Sequence, residues 1–128
     1  MLLGDFFKIV SIQKEENSHK LVLELNASHK IFEGHFPGQP VVPGACLLQM
    51  VKEMMQTLIG ANLQLVKANQ LKFLAPIDPR KQNILQAEIG YYMVENSLLT
   101  VSATILQDEV VCCKCSGMFR TNNSMYKI

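Results

Sequence analysis

The chain has 128 residues, of which 48% are hydrophobic and 18% charged, and its net charge is +1. This size and composition suit one compact domain with a core of its own and exclude a disordered chain. The near-neutral balance gives no reason to expect nucleic acid or an anionic membrane surface as a partner.

The opening residues, MLLGDFFKIV, hold no basic stretch, and Asp5 and Lys8 interrupt their apolar run. No signal peptide is read there, no segment is long enough to span a bilayer, and the expected location is the cytoplasm. Without repeats or linkers, residues 1–128 are expected to form a single domain. Residues 5–14 and 20–27 read as strands around a turn at Glu16-Asn17-Ser18. A proline- and glycine-rich loop follows, EGHFPGQPVVPG, and then a helical stretch from Pro43 to about Ile59, ended by Gly60-Ala61-Asn62. Leu63–Ala75 is the next strand, broken by Pro76-Ile77-Asp78-Pro79. Strands at Asn83–Val94, Leu98–Gln107 and Val110–Arg120 complete the chain, with turns at Glu95-Asn96-Ser97 and Gln107-Asp108-Glu109.

The helix indicates the architecture. Leu47, Leu48, Met50, Val51, Met54, Met55, Leu58 and Ile59 cover more than half its circumference, and Gln49, Lys52, Glu53 and Gln56 form one polar stripe. Such a helix must be buried over most of its surface. The economical way to do this with about six strands is to wrap a curved antiparallel sheet around it. The expected fold class is therefore α+β, a hot-dog fold.

The cysteines are read as buried, reduced thiols. Cys113 and Cys115 share one strand face and Cys112 takes the other, which is poor geometry for a metal, and no second ligand pair stands at a suitable spacing. Neither a metal nor a cofactor is called for.

The loop admits two readings. Proline-glycine clusters often mean a turn and nothing more, and a loop histidine is often a surface residue. Alternatively, Pro43 opens the helix and leaves its first N–H groups pointing outward, where the helix dipole favours negative charge. Gly44 has no side chain, so a flat group such as a thioester carbonyl can approach its N–H. His35, nine residues earlier, is of the type suited to act as a base near neutral pH.

The segment HFPGQPVVPG resembles the signature of the 3-hydroxyacyl-acyl-carrier-protein dehydratases of FabA/FabZ type, and LKFLAPIDP at 71–79 and the last two strands are similar to that family more weakly. The resemblance implies that His35 removes the proton alpha to the thioester carbonyl and that the Gly44 N–H binds the carbonyl oxygen. It also implies an acid on the helix, supplied by a neighbouring subunit, that protonates the departing 3-hydroxyl, and an acyl tunnel between the two helices. Phe36, Pro43, Leu48, Met50, Glu53, Met54 and Phe73 are then candidate substrate-binding residues. The implied substrate is an acyl-carrier-protein or coenzyme-A thioester of fatty acid or related lipid and polyene biosynthesis. The implied assembly is a homodimer or higher homo-oligomer, or a hetero-oligomer with a related dehydratase.

The acid position, fourteen residues after His35, holds Gln49, and an amide cannot deliver a proton. The substitutes are Glu53, about 6 Å further along the stripe, a water held by Gln49, or an acid from a related subunit. On the residues alone, Gln49 also fits an exposed polar stripe with Lys52, Glu53 and Gln56. An acyl thioesterase on the same fold, with His35 directing water, is the other enzymatic alternative. The coenzyme-A hydratases of this fold carry an aspartate shortly before their histidine, which Ile31-Phe32-Glu33-Gly34 lacks. A carrier protein is acidic, so Lys67, Lys72, Arg80, Lys81 and Arg120 are candidate contacts for it.

Overall fold

The structure is a computed structural model and describes residues 1–34 and 38–121. Its elements are β1 (Phe7–Lys14), β2 (His19–Leu25), α1 (Ile31–Gly34), α2 (Gly44–Ile59), β3 (Leu63–Phe73), β4 (Ile84–Glu95), β5 (Leu98–Gln107) and β6 (Val110–Thr121). The strands form one six-stranded antiparallel sheet in the order β1-β2-β4-β5-β6-β3.

Alternation along the strands selects the face that meets α2. Leu21, Leu23 and Leu25 of β2, Leu85, Ala87 and Ile89 of β4, and Leu99, Val101, Ala103 and Ile105 of β5 are all buried. They form one core with Leu47, Met50, Val51, Met54 and Met55 of α2. The hot-dog arrangement expected from the sequence is the one observed.

Helix α2 begins at Gly44, with Pro43 as its N-cap in an extended conformation that makes no side-chain capping hydrogen bond among the described residues. It stops at Gly60, whose backbone is left-handed (φ 69°) and whose N–H donates to the Gln56 carbonyl at 2.9 Å. The Gln56 side chain accepts from the Leu63 N–H at 2.9 Å and so ties the helix end to the start of β3. No helix among the described residues is long and apolar enough to cross a membrane.

Strand β3 crosses the chain to pair with β6 at the sheet's edge, with register shifts at Leu65/Lys67 and Ala68/Gln70. Among the described residues its other side has no strand beside it, and Val66, Leu71 and Phe73, with the adjoining Leu74, are exposed. The segment after β3 is pinned from below. The buried Gln107 donates through Nε2 to the carbonyls of Asp78 and Gln82, both at 2.8 Å.

The short helix α1 was not expected from the sequence. The Phe32 N–H donates to the His29 carbonyl, and the Ile31 N–H donates to His29 Nδ1. His29 Nε2 lies 3.0 Å from Asp5 Oδ2. Because Nδ1 accepts a hydrogen bond, the proton of the neutral ring sits on Nε2 and is donated to Asp5.

Candidate active site

A cavity of about 380 Å³ opens at the N-terminal end of α2, with Pro43, Gly44, Leu47, Phe73, Pro76 and Ile77 among its lining residues. Two turns of chain create it. The Val42 N–H donates to the Ile77 carbonyl at 2.9 Å, holding the loop before α2 against the segment after β3. The Cys46 and Leu47 N–H groups both fold back to the Pro43 carbonyl, at 2.9 and 3.2 Å, so Gly44 stands at the end of the first turn. Apolar walls beside outward-pointing backbone N–H groups suit an apolar chain that carries a carbonyl.

Phe73 closes one side of this cavity. A β-carbon on Gly44 would lie 2.8 Å from Phe73 Cζ, so the ring occupies the space that glycine leaves open. Of the candidates named from the sequence, Pro43, Gly44 and Phe73 are thus brought together. His35 and Phe36 lie outside the described residues.

The other candidates are elsewhere. Met50 and Met54 are fully buried in the core and line neither this cavity nor the small void of about 10 Å³ that Leu48 borders with Val51, Gly117 and Phe119. Gln49 follows Gly44 by five residues, which turns it about 140° around the helix and away from the cavity.

Gln49 is bound to Glu53. Its Nε2 donates to Glu53 Oε2 at 2.7 Å, and the same carboxylate accepts the Leu2 N–H at 2.9 Å and, through Oε1, the Leu3 N–H at 2.7 Å. The polar stripe is therefore not an exposed face throughout, because Glu53 is 1% exposed. Burial pushes the Glu53 carboxyl up, but the hydrogen bonds from Leu2, Leu3 and Gln49 outweigh it and hold the group below the ordinary carboxylate value. A carboxylate held ionised in this way is poorly suited to deliver a proton. The Leu2 and Leu3 contacts were invisible to sequence reasoning because backbone N–H groups leave no mark in residue type.

Three of the cysteines, Cys112, Cys113 and Cys115, are buried, and Cys46 is half-buried. Burial pushes the Cys46 and Cys112 thiols up, away from the reactive thiolate. Among the described residues no group of three His, Cys, Asp or Glu side chains is placed to hold a metal ion.

A sequence model of the ApeI-like dehydratases matches residues 11–114. The chain belongs to the ApeI dehydratase family. Among its curated relatives is a 3-hydroxyacyl-[acyl-carrier-protein] dehydratase FabZ of Haemophilus influenzae, 34% identical over 65 residues, 51% of this chain and 43% of the relative. The match thus spans less than half of that relative's length. Among solved structures, the dehydratase heterocomplex ApeI:P of Xenorhabdus doucetiae superposes with a TM-score of 0.68 at 23% identity, covering 88% of this chain and 96% of the other. A hypothetical thioesterase protein of Streptococcus pneumoniae solved with coenzyme A gives a TM-score of 0.61 at 8% identity, covering 94% of this chain and 91% of the other. At these identities the structural likeness establishes the fold that this member of the ApeI-like family shares with them.

Proposed function

We propose that this chain takes part in the dehydration of 3-hydroxyacyl thioesters, supplying a base and an oxyanion donor to a site whose acid comes from a second, related subunit. His35 removes the proton from C2, and the carbonyl oxygen, gathering negative charge, is held by the Gly44 N–H. The C2–H electron pair forms the C2=C3 double bond as the C3–O bond breaks. The leaving hydroxyl takes a proton from the partner's acid and departs as water.

One observation carries this reading. The Gly44 cavity and Gln49 lie on different sides of α2, and Gln49 is an amide bonded to a carboxylate held ionised. Among the described residues no acid replaces the missing one at that point of the helix. The exposed apolar edge of β3 supports an assembly, since an open strand with Val66, Leu71 and Phe73 uncovered favours pairing with another chain. Exposed Lys72 stands directly opposite exposed Lys114 across β3 and β6, beside Phe73, which suits an acidic carrier protein as the thioester's bearer.

The test is turnover of 3-hydroxyacyl thioesters, carried by acyl carrier protein or by coenzyme A, by the purified chain beside Gln49→Glu and His35→Ala. The expected result is a near-silent native chain, a gain of about 100-fold in Gln49→Glu, where an acid is restored, and no activity in His35→Ala. Full turnover by the native chain alone overturns the need for a partner's acid. Silence of every variant, with thioester hydrolysis detected instead, overturns dehydration in favour of a thioesterase.

A further inference from the structure

Glu53 does more than fasten the N-terminal segment to α2. An ionised carboxylate has lone pairs and no proton, so the Gln49 atom 2.7 Å from Glu53 Oε2 has to be the amide nitrogen. That settles which way round the amide sits. Its NH2 is turned to Glu53, and its carbonyl oxygen is the end left over. The constraint is stiff because Glu53 is buried and its two oxygens are already held by the Leu2 and Leu3 N–H groups. The carboxylate has no freedom to turn away and release the amide.

We propose that Glu53 is a positioning residue that fixes Gln49 as a hydrogen-bond acceptor, so that this helix selects acyl chains bearing a hydroxyl donor over those bearing a ketone or an alkene at the same carbon. A 3-hydroxyl donates its proton to an amide oxygen, while a 3-oxo group offers only lone pairs and meets repulsion there. An alkene offers neither. The inference rests on the dehydratase reading, in which position 49 faces the reacting carbon in the neighbouring subunit's site and not in the Gly44 cavity of its own chain. One hydrogen bond between neutral groups makes the expected selectivity about 10-fold in affinity.

Two readouts on the full chain test this separately. In the NMR spectrum, one Gln49 side-chain amide proton is expected downfield, moving on acidification as Glu53 takes up its proton. In Glu53→Gln that shift and its pH dependence are lost. A Gln49 amide with ordinary shifts and no response to pH overturns the fixed orientation, whatever the protein's function. Calorimetric titration with 3-hydroxyacyl, 3-oxoacyl and 2-enoyl pantetheine thioesters of one chain length gives the second readout. The hydroxyl form is expected to bind about 10-fold tighter to the native chain, and the preference to shrink to about twofold in Glu53→Gln, whose amide lets Gln49 present either end. Equal affinities in the native chain overturn the selectivity. Gln49→Leu provides the same comparison should Glu53→Gln fold poorly, since it removes the acceptor while the Leu2 and Leu3 N–H groups still hold the carboxylate. If none of the thioesters binds, the dehydratase reading falls and the selectivity with it, while the NMR result still decides whether Glu53 orients Gln49.

Discussion

The ring of Phe73 rests against the backbone of Gly44 so closely that a β-carbon on Gly44 would meet Phe73 Cζ at 2.8 Å and both Cε atoms at 3.1 and 3.2 Å. Glycine at the head of α2 therefore leaves room for the ring, and the ring in turn walls the cavity beside the first helical N–H groups.

Gly44→Ala is expected to swing the Phe73 ring outward and fill the approach to the N–H. Phe73 is 54% exposed, so the ring has somewhere to go, and a helix favours alanine over glycine by up to about 1 kcal/mol. Stability should thus change by less than about 1 kcal/mol in a urea melt. Turnover by the completed assembly should fall about 100-fold, as when one oxyanion donor is blocked. A stable variant with full turnover would remove Gly44 from the site.

How much of this arrangement the sequence reveals depends on how local the cause is. Strand β5 was read to its observed ends because alternation from Leu98 to Gln107 is a property of the segment itself. The end of α2 was legible for the same reason, in Gly60. Helix α1 was missed because Ile31-Phe32-Glu33-Gly34 is a single turn, too short for any periodicity, held by His29 from outside. At the site, the Pro43-Gly44 helix head was legible from residue type. The burial of Glu53 was not, since its partners Leu2 and Leu3 lie about fifty residues away and act through backbone N–H groups. Ile77 was read only as part of a turn, although its carbonyl holds the loop before α2.

Glu53 should make part of the fold's stability depend on acid. Its folded value lies below the ordinary carboxylate value of about 4.3, so its contribution is fully present above that pH and is lost as pH falls through the lower folded value. Replacing it by glutamine exchanges charged hydrogen bonds for neutral ones, at a cost of about 1–3 kcal/mol at pH 7. Urea melts of Glu53→Gln and the native chain should differ by that amount at pH 7 and converge as the pH is lowered through the folded value. A constant gap across that range would mean that the carboxylate's charge contributes nothing.

Gly117 answers to a harder neighbour than Gly44 does. A β-carbon there would come within 2.7 Å of the Lys67 carbonyl oxygen, a backbone atom at the first register shift of β3. Backbone cannot swing aside as an exposed ring can, so β3 would have to lift from β6. Gly117→Ala is expected to cost about 2–3 kcal/mol, near the upper end for overpacking. The midpoint of urea unfolding checks it, and a change below about 0.5 kcal/mol would show that β3 yields freely.

The hairpin between β5 and β6 turns on Asp108 and Glu109 alone, and both have positive φ, 50° and 66°. Two-residue turns of this hand match the twist of the flanking strands, but they favour Asn-Gly because a β-carbon crowds the backbone there. Asp108 is among the residues that tolerate this conformation; Glu109 is not. Glu109→Gly should relieve the crowding at a small cost in unfolded-chain entropy, for a net gain of about 0.5–1 kcal/mol, seen as a higher midpoint in a thermal melt. Neither Asp108 nor Glu109 lines the Gly44 cavity, so catalysis should be unchanged. A lower midpoint would mean that the Glu109 side chain contributes more to the turn than its backbone costs.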